Sequence, residues 1–160
     1  MTIFHDQIGA VGAPAILTPE AQQSLWFLGA LIHIRVDTSA TGGRLAVIEH
    51  QAERGLASPL HRHRADDETF LVLEGELRVE VDGQARAAGA GAVAFLPRGL
   101  PHAFVVTSAQ ARYLTIHTPA GFDQFTVAAG TSVDQTGTTP NPAALAAMAA
   151  EYGIEILGQQ

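Results

Sequence analysis

Between Leu25 and His117 the sequence is cut into short apolar or alternating runs, each closed by Gly, Pro, Asp or Ser. That punctuation leaves little room for long helices and predicts a series of short strands. The clearest run has Leu77, Val79 and Val81 alternating with Arg78 and Glu80. Asp82-Gly83 then supplies the pair that a tight primed hairpin turn prefers, and Gln84–Ala88 returns. Leu25–Val36 and Leu45–Gln51 read as strands separated by the turn-rich segment Asp37–Gly43, and Ala92–Leu96, His102–Val106 and Arg112–His117 continue the series. The pattern predicts an all-β fold, either a sandwich or a small barrel.

Onto this framework the sequence places three imidazoles and a carboxylate. His61 and His63 are two residues apart, so on an extended strand both rings leave the same face. Glu68 opens the next apolar run, and His102 follows the turn Pro97-Arg98-Gly99. Such donors suit a divalent Fe, Mn, Ni, Co, Cu or Zn ion and leave coordination positions open for water, oxygen or a substrate oxygen. Asp66 and Asp67 are competing carboxylates, but Glu68 is the one in phase with Phe70 and Val72. Phe70, Phe95 and Phe104 are expected to form an apolar wall suited to a flat aromatic ligand. His117, in phase with Tyr113 and Thr115, is expected to line the same cavity, where it can act as an acid or base. His5, His33 and His50 have no partner at ligand spacing and read as surface or satisfied barrel residues.

Composition narrows the partners. The 160-residue chain has a length typical of one domain, and its 47% apolar residues can furnish a core. With no cysteine, any metal must sit on nitrogen and oxygen ligands. A net charge of -7, with nine Arg and no Lys, argues against a nucleic-acid surface. The expected partners are a small-molecule substrate and a second subunit in a homodimer. Residues 1–7 lack a basic start followed by an apolar run, and Leu25–Val36 falls far short of a membrane span while carrying His33 and Arg35. The expectation is a cytoplasmic protein without membrane contact.

The tail changes period. Phe122, Phe125 and Ala129 share one face of a short predicted helix, Thr131–Pro140 reads as a polar linker, and Asn141, Pro142 and Gly153 punctuate a helix over Pro142–Tyr152. Its stripe of Leu145, Met148, Ala149 and Tyr152 predicts docking on the barrel or on a partner subunit.

Two motifs carry a family resemblance. Gly55, five residues, His61-x-His63, four residues, Glu68, six residues and Gly75 resembles the first motif of the cupin superfamily. Gly91, five residues, Pro97-x-Gly99, two residues and His102 resembles the second, with Val106 where cupins often carry Asn. The resemblance implies a single jelly-roll cupin barrel over residues 1–130, with its N-terminal strands included, followed by a linker and C-terminal helix over 131–160. One copy of each motif indicates a monocupin. Trp26-Phe27-Leu28-Gly29, the stretch Phe95–His102, Thr118–Phe122 and Tyr152-Gly153-Ile154 further resemble small bacterial monocupins grouped with quercetin 2,3-dioxygenases. That likeness implies His61, His63, Glu68 and His102 as metal ligands and Glu68 as the base that removes a substrate hydroxyl proton. The implied activity is a mononuclear metal-dependent dioxygenase acting on an enolic or phenolic aromatic compound, for instance a flavonol. The alternatives are a non-catalytic metal- or ligand-binding barrel and, ranked lower, a metal-dependent isomerase.

Overall fold

Which face each strand buries follows from its alternation, and the strands then sort into two sheets. The computed structural model describes residues 12–135 and 139–158. In chain order the strands are β1 (Gln23–Phe27), β2 (Ala30–Val36), β3 (Ala46–Glu53), β4 (Leu60–His63), β5 (Asp67–Glu74), β6 (Glu76–Val81), β7 (Gln84–Gly89), β8 (Val93–Leu96), β9 (His102–Val106), β10 (Gln110–Thr118), β11 (Thr131–Ser132) and β12 (Ile154–Gly158). The helices are α1 (Thr38–Thr41), α2 (Phe122–Ala129) and α3 (Pro142–Glu151).

A seven-stranded antiparallel sheet has the order β11-β1-β2-β3-β10-β5-β8, and a five-stranded one the order β12-β4-β9-β6-β7. Their inner faces enclose one core in which Ile32, Ile48, Phe70, Leu77 and Tyr113 are buried. This is the all-β barrel with a short C-terminal helix that the sequence predicts. On β5 the inward residues are Glu68, Phe70 and Val72, and on β10 they are Ala111, Tyr113, Thr115 and His117. Glu68 pairs with His117 across these two strands. Among the described residues no helix is long and apolar enough to cross a membrane.

Three sequence expectations change. Leu25–Val36 is not one strand but a hairpin, β1 paired with β2 around Leu28-Gly29. Both turn residues have positive φ, 49° and 91°. Gly29 adopts such an angle freely, but Leu28 is not a residue that advertises a primed turn. Asp37–Gly43, expected as a loop, holds the single turn α1, with the Asp37 carboxylate accepting the Ala40 N–H at 2.7 Å and Gly42 closing it in the left-handed region. The third change lies at the C-terminus. Asn141 caps α3 through the Ala144 N–H at 2.9 Å, and Gly153 ends it at φ 75°, as the sequence predicts. Beyond it, Ile154–Gly158 forms β12 against β4.

Two glycines at positive φ separate backbone strain from steric exclusion. Gly83 (φ 77°) has open space where a Cβ would stand, whereas a Cβ on Gly75 (φ 78°) would meet the Gln110 carbonyl, the Ser108 hydroxyl and, at 2.9 Å, the Ala111 Cα. Gly75 joins β5 to β6, where the chain passes from one sheet to the other. Gly83→Ala is expected to cost about 1 kcal/mol, the price of left-handed backbone alone, and Gly75→Ala about 3 kcal/mol or more, read by denaturant unfolding. Equal losses would mean that the strand-to-strand approach at Gly75 is looser than described.

Candidate metal centre

The two sheets bring the sequence-predicted residues together. On β4, the inward rings of His61 and His63 flank Arg62, which turns outward to Glu155 at 2.8 Å. β4 pairs with β9 through His61 and His102, so those rings lie side by side with centroids 4.3 Å apart. Glu68 comes from the opposite sheet. The turn before His102 is fixed at both ends: the Gly99 N–H donates to the His63 carbonyl at 2.7 Å, and Arg98 clamps Asp67 through its backbone N–H at 2.9 Å and its guanidinium at 3.0 and 3.1 Å. One donor atom from each of His61, His63, Glu68 and His102 lies within 4.8 Å of all the others. Asp67, the competing carboxylate, points away to Arg98.

Each ring has its Nδ1–H committed elsewhere. His61 Nδ1 donates to the Pro59 carbonyl at 2.8 Å, His102 Nδ1 to the Leu100 carbonyl at 3.2 Å, and His63 Nδ1 to Asp66 at 3.0 Å. A carbonyl or carboxylate can only accept, so in the neutral rings these bonds leave every Nε2 as a bare lone pair facing the cluster. His102 Nε2 is 3.0 Å and His63 Nε2 3.4 Å from Glu68 Oε2. His63 Nε2 is buried without a hydrogen-bond partner. Lone pairs converging on a buried carboxylate repel one another unless a cation lies between them, so the donor set fits a divalent ion.

The charges agree. Burial would push Glu68 up, but in the metal-free protein the hydrogen bond it accepts when His102 Nε2 carries a proton, together with the imidazoles of His63, His117 and His102, outweighs burial and holds the carboxyl well below the usual range. Asp66 is likewise held down, to about 2, because its hydrogen bonds with His117 and His63 overcome its burial. Burial, aided by His102, pushes His61 down to about 4. His63 is raised, since Asp66 and Glu68 outweigh the cost of burying its cation.

Beside the cluster lies a cavity of about 80 Å³, lined by Phe27, Phe70, Phe104, Phe122, Glu68 and His61 among others. Phe70 and Phe104 therefore stand where the sequence predicts, with ring centroids 5.4 Å apart. Phe95 does not. It is 60% exposed, because it pairs with the outward-facing Thr69 on the edge strand β8. His117, expected to line the same cavity, is instead fully buried beside Glu68 and is not among the cavity's described lining residues. A larger open groove of about 590 Å³, beside Trp26, Leu31 and Arg54, reaches none of the four donors. His50 is a satisfied barrel residue bonded to Thr115 at 2.9 Å, and His33 is bonded to Ser24 at 2.6 Å. His5 falls outside the described residues.

Sequence reasoning missed Asp66, which bonds His63 and His117, and Phe122, whose ring stacks on His117 at 4.2 Å. The spacing His63-x-x-Asp66 across a bend was the available signal for the first. Phe122 sits on a helix outside the strand pattern and gave none.

Burial of neutral imidazoles predicts acid lability in the metal-free protein. Burial pushes His50 down to about 3, and both His50 and His61 have an ordinary value of 6.5. Below 6.5 the unfolded chain takes up two protons that the folded chain refuses, so stability falls as pH drops toward 4. The raised His63 acts oppositely, adding stability at low pH that is lost as pH rises through its folded value. The melting temperature of metal-free protein should therefore fall between pH 6.5 and about 4, and His50→Gln should make that slope shallower by about one proton. An unchanged slope would locate the acid sensitivity elsewhere.

Comparison with known proteins agrees with this geometry. Residues 47–117 match the sequence model of the Cupin domain. Quercetin 2,3-dioxygenase of Bacillus subtilis (strain 168) is 32% identical over 76 residues, a match that spans 48% of this chain and 23% of that enzyme. KdgF from Halomonas sp. has a similar structure, with a TM-score of 0.60 at 19% identity over 69% of this chain and 99% of that one. The polyketide cyclase RemF from Streptomyces resistomycificus gives 0.55 at 23% identity over 66% of this chain and 80% of that one. A nucleoside dehydratase gives 0.57 at 18% identity over 70% and 88%. These likenesses to solved structures show the shared fold. The strands that carry the four donors, β4, β5 and β9, all lie inside the span that matches the Cupin domain, so the part of the chain that resembles that family is the part that builds the site.

Proposed function

We propose that this chain is a mononuclear metal-dependent dioxygenase of the quercetinase-like kind, acting on an enolic or phenolic aromatic compound. One observation carries the reading: three imidazole Nε2 atoms and the Glu68 carboxylate converge at the edge of a cavity walled by aromatic rings. His61, His63, Glu68 and His102 would hold the ion. When bound, a divalent transition metal supplies Lewis acidity and, for a redox-active ion, electron transfer with dioxygen. The 32% identity to a quercetin 2,3-dioxygenase supports oxygen chemistry over other uses of the fold.

The chain's own residues account for the rest. Glu68 is the one carboxylate among the cavity's lining residues, and its neighbours keep it ionised, so it is positioned to accept a substrate hydroxyl proton. Phe70 and Phe104 offer flat apolar surface to a ring, and the apolar walls exclude water. Among the described residues no Arg lines the cavity, which disfavours a phosphorylated sugar and hence the isomerase reading. Size refines the substrate. The cavity's 80 Å³ is far below the roughly 300–1,000 Å³ that encloses drug-sized ligands, favouring a single-ring enol or phenol over a flavonol.

Metal content tests the ligand assignment. His63→Ala and Glu68→Gln should lower metal affinity by about 10-fold or more, whereas Asp67→Asn, which alters only the Arg98 clamp, should leave it near wild type. Equal metal in all three variants would refute the site. For the reaction, protein loaded in turn with Fe, Mn, Ni, Co and Cu should consume oxygen with catechol or a small hydroxy-enone and shift the ligand's absorption. Binding without oxygen uptake for every metal would favour a non-catalytic barrel. No absorption shift with either these probes or quercetin would exclude the substrate class.

A further inference from the structure

Two histidines, His63 and His117, stand next to Glu68, yet only one of them is free to coordinate. His63 and His117 are stacked with centroids 5.7 Å apart, both almost fully buried, and both direct Nδ1 at Asp66, at 3.0 and 2.9 Å. His117 Nε2 lies 3.7 Å from Glu68 Oε1, beyond hydrogen-bond range, and 3.1 Å from the Thr115 hydroxyl. That hydroxyl is also 2.9 Å from His50 Nε2.

With neutral imidazoles, a single assignment of protons satisfies every contact. Asp66 accepts two N–H groups, the Thr115 hydroxyl donates to His117 Nε2, and His50 Nε2–H donates to the Thr115 oxygen. His63 Nε2 alone is left unpartnered, and it faces the cluster. The chain of bonds therefore has a direction, set at the Asp66 end by a group that can only accept. His63, Asp66 and His117 could also be read as a second ion site, since their ligand atoms are close enough together. Hydrogen bonds already account for each of those distances and leave no lone pair stranded among them, so no second ion is required.

We propose that Asp66 is a positioning residue for the metal centre: by accepting Nδ1–H from both His63 and His117 it orients both rings and presents His63 Nε2 to the ion, while the Thr115 hydroxyl, by donating to His117 Nε2, withholds that second ring from it. The proposal rests on the four-ligand reading of the site and adds what decides between two otherwise equivalent histidines. Phe122, stacked on His117 at 4.2 Å and 12°, holds that ring in place from the other side.

The test uses zinc as probe, with Asp66→Asn as the variant and Asp67→Asn as the control. Asn has the shape of Asp but one acceptor oxygen, so either His63 or His117 must face an NH₂ group and turn its ring or change tautomer. Zinc affinity, measured by competition with a chelator, should fall about 10- to 100-fold in Asp66→Asn with the circular dichroism unchanged, and should hold in the control. Ring ¹⁵N spectra supply a readout that packing alone would not move. Zinc-loaded wild type should show His63 and His117 protonated at Nδ1, and one of them should change in Asp66→Asn while His61 and His102 do not. Wild-type affinity and unchanged ring nitrogens in Asp66→Asn would overturn the inference and leave the four-ligand site standing. Should that variant not fold, the wild-type spectrum decides, since His117 protonated at Nε2 and bare at Nδ1 is incompatible with the proposal. Failure of wild type to take up zinc would overturn the four-ligand reading, and this inference with it.

Discussion

Three imidazole protons determine what this barrel can hold. Because Pro59, Leu100 and Asp66 accept the Nδ1–H groups of His61, His102 and His63, the opposite nitrogens of the neutral rings are lone pairs, with His102 Nε2 3.0 Å from Glu68 and His63 Nε2 left without a hydrogen-bond partner. A buried carboxylate ringed by unprotonated nitrogens costs several kcal/mol unless a positive charge enters. Protons can supply that charge in the metal-free protein, as the raised His63 indicates, and a divalent ion supplies it better because it satisfies all four donors at once.

The scaffold keeps those acceptors still. His61 and His63 lie on a strand paired on both edges, with β9 on one side and β12 on the other, and His102 follows a turn tied by backbone to the His63 carbonyl. The exposed ion pair between Arg98 and Asp67 is screened by solvent, so its contribution is register, joining the second motif to the start of β5. The donors come entirely from the span matched by the Cupin domain, whereas much of the cavity wall does not. Phe27, Phe122, Phe125, Leu145 and Ile156 reach the cavity from before and after that span, so the parts that hold an ion and the parts that shape a ligand are separable along the chain.

Much of this was legible because strand alternation and ligand spacing are local. His61 and His63 share a face by the period of a strand, and Glu68 was distinguished from Asp67 by its phase with Phe70 and Val72, which the buried positions of β5 reproduce. Phe95 was misplaced because Ala92–Leu96 is apolar throughout and carries no phase of its own; pairing with β5 supplied one. The turn at Leu28-Gly29 was hidden by a leucine in a left-handed conformation. β12 and the role of Asp66 were hidden for another reason. Both depend on segments far apart in sequence, Ile154 beside His63 and Asp66 beside His117, and no local periodicity encodes such meetings.

The central claim is that the four converging donors exist to hold one ion. Its most direct test is elemental analysis of protein purified without an affinity tag and without added metal, alongside protein from cells grown in metal-supplemented medium. The account predicts about one transition-metal ion per chain, retained through gel filtration and released by a strong chelator without loss of the barrel. Protein that carries no such ion from either source, with its fold intact, would contradict it.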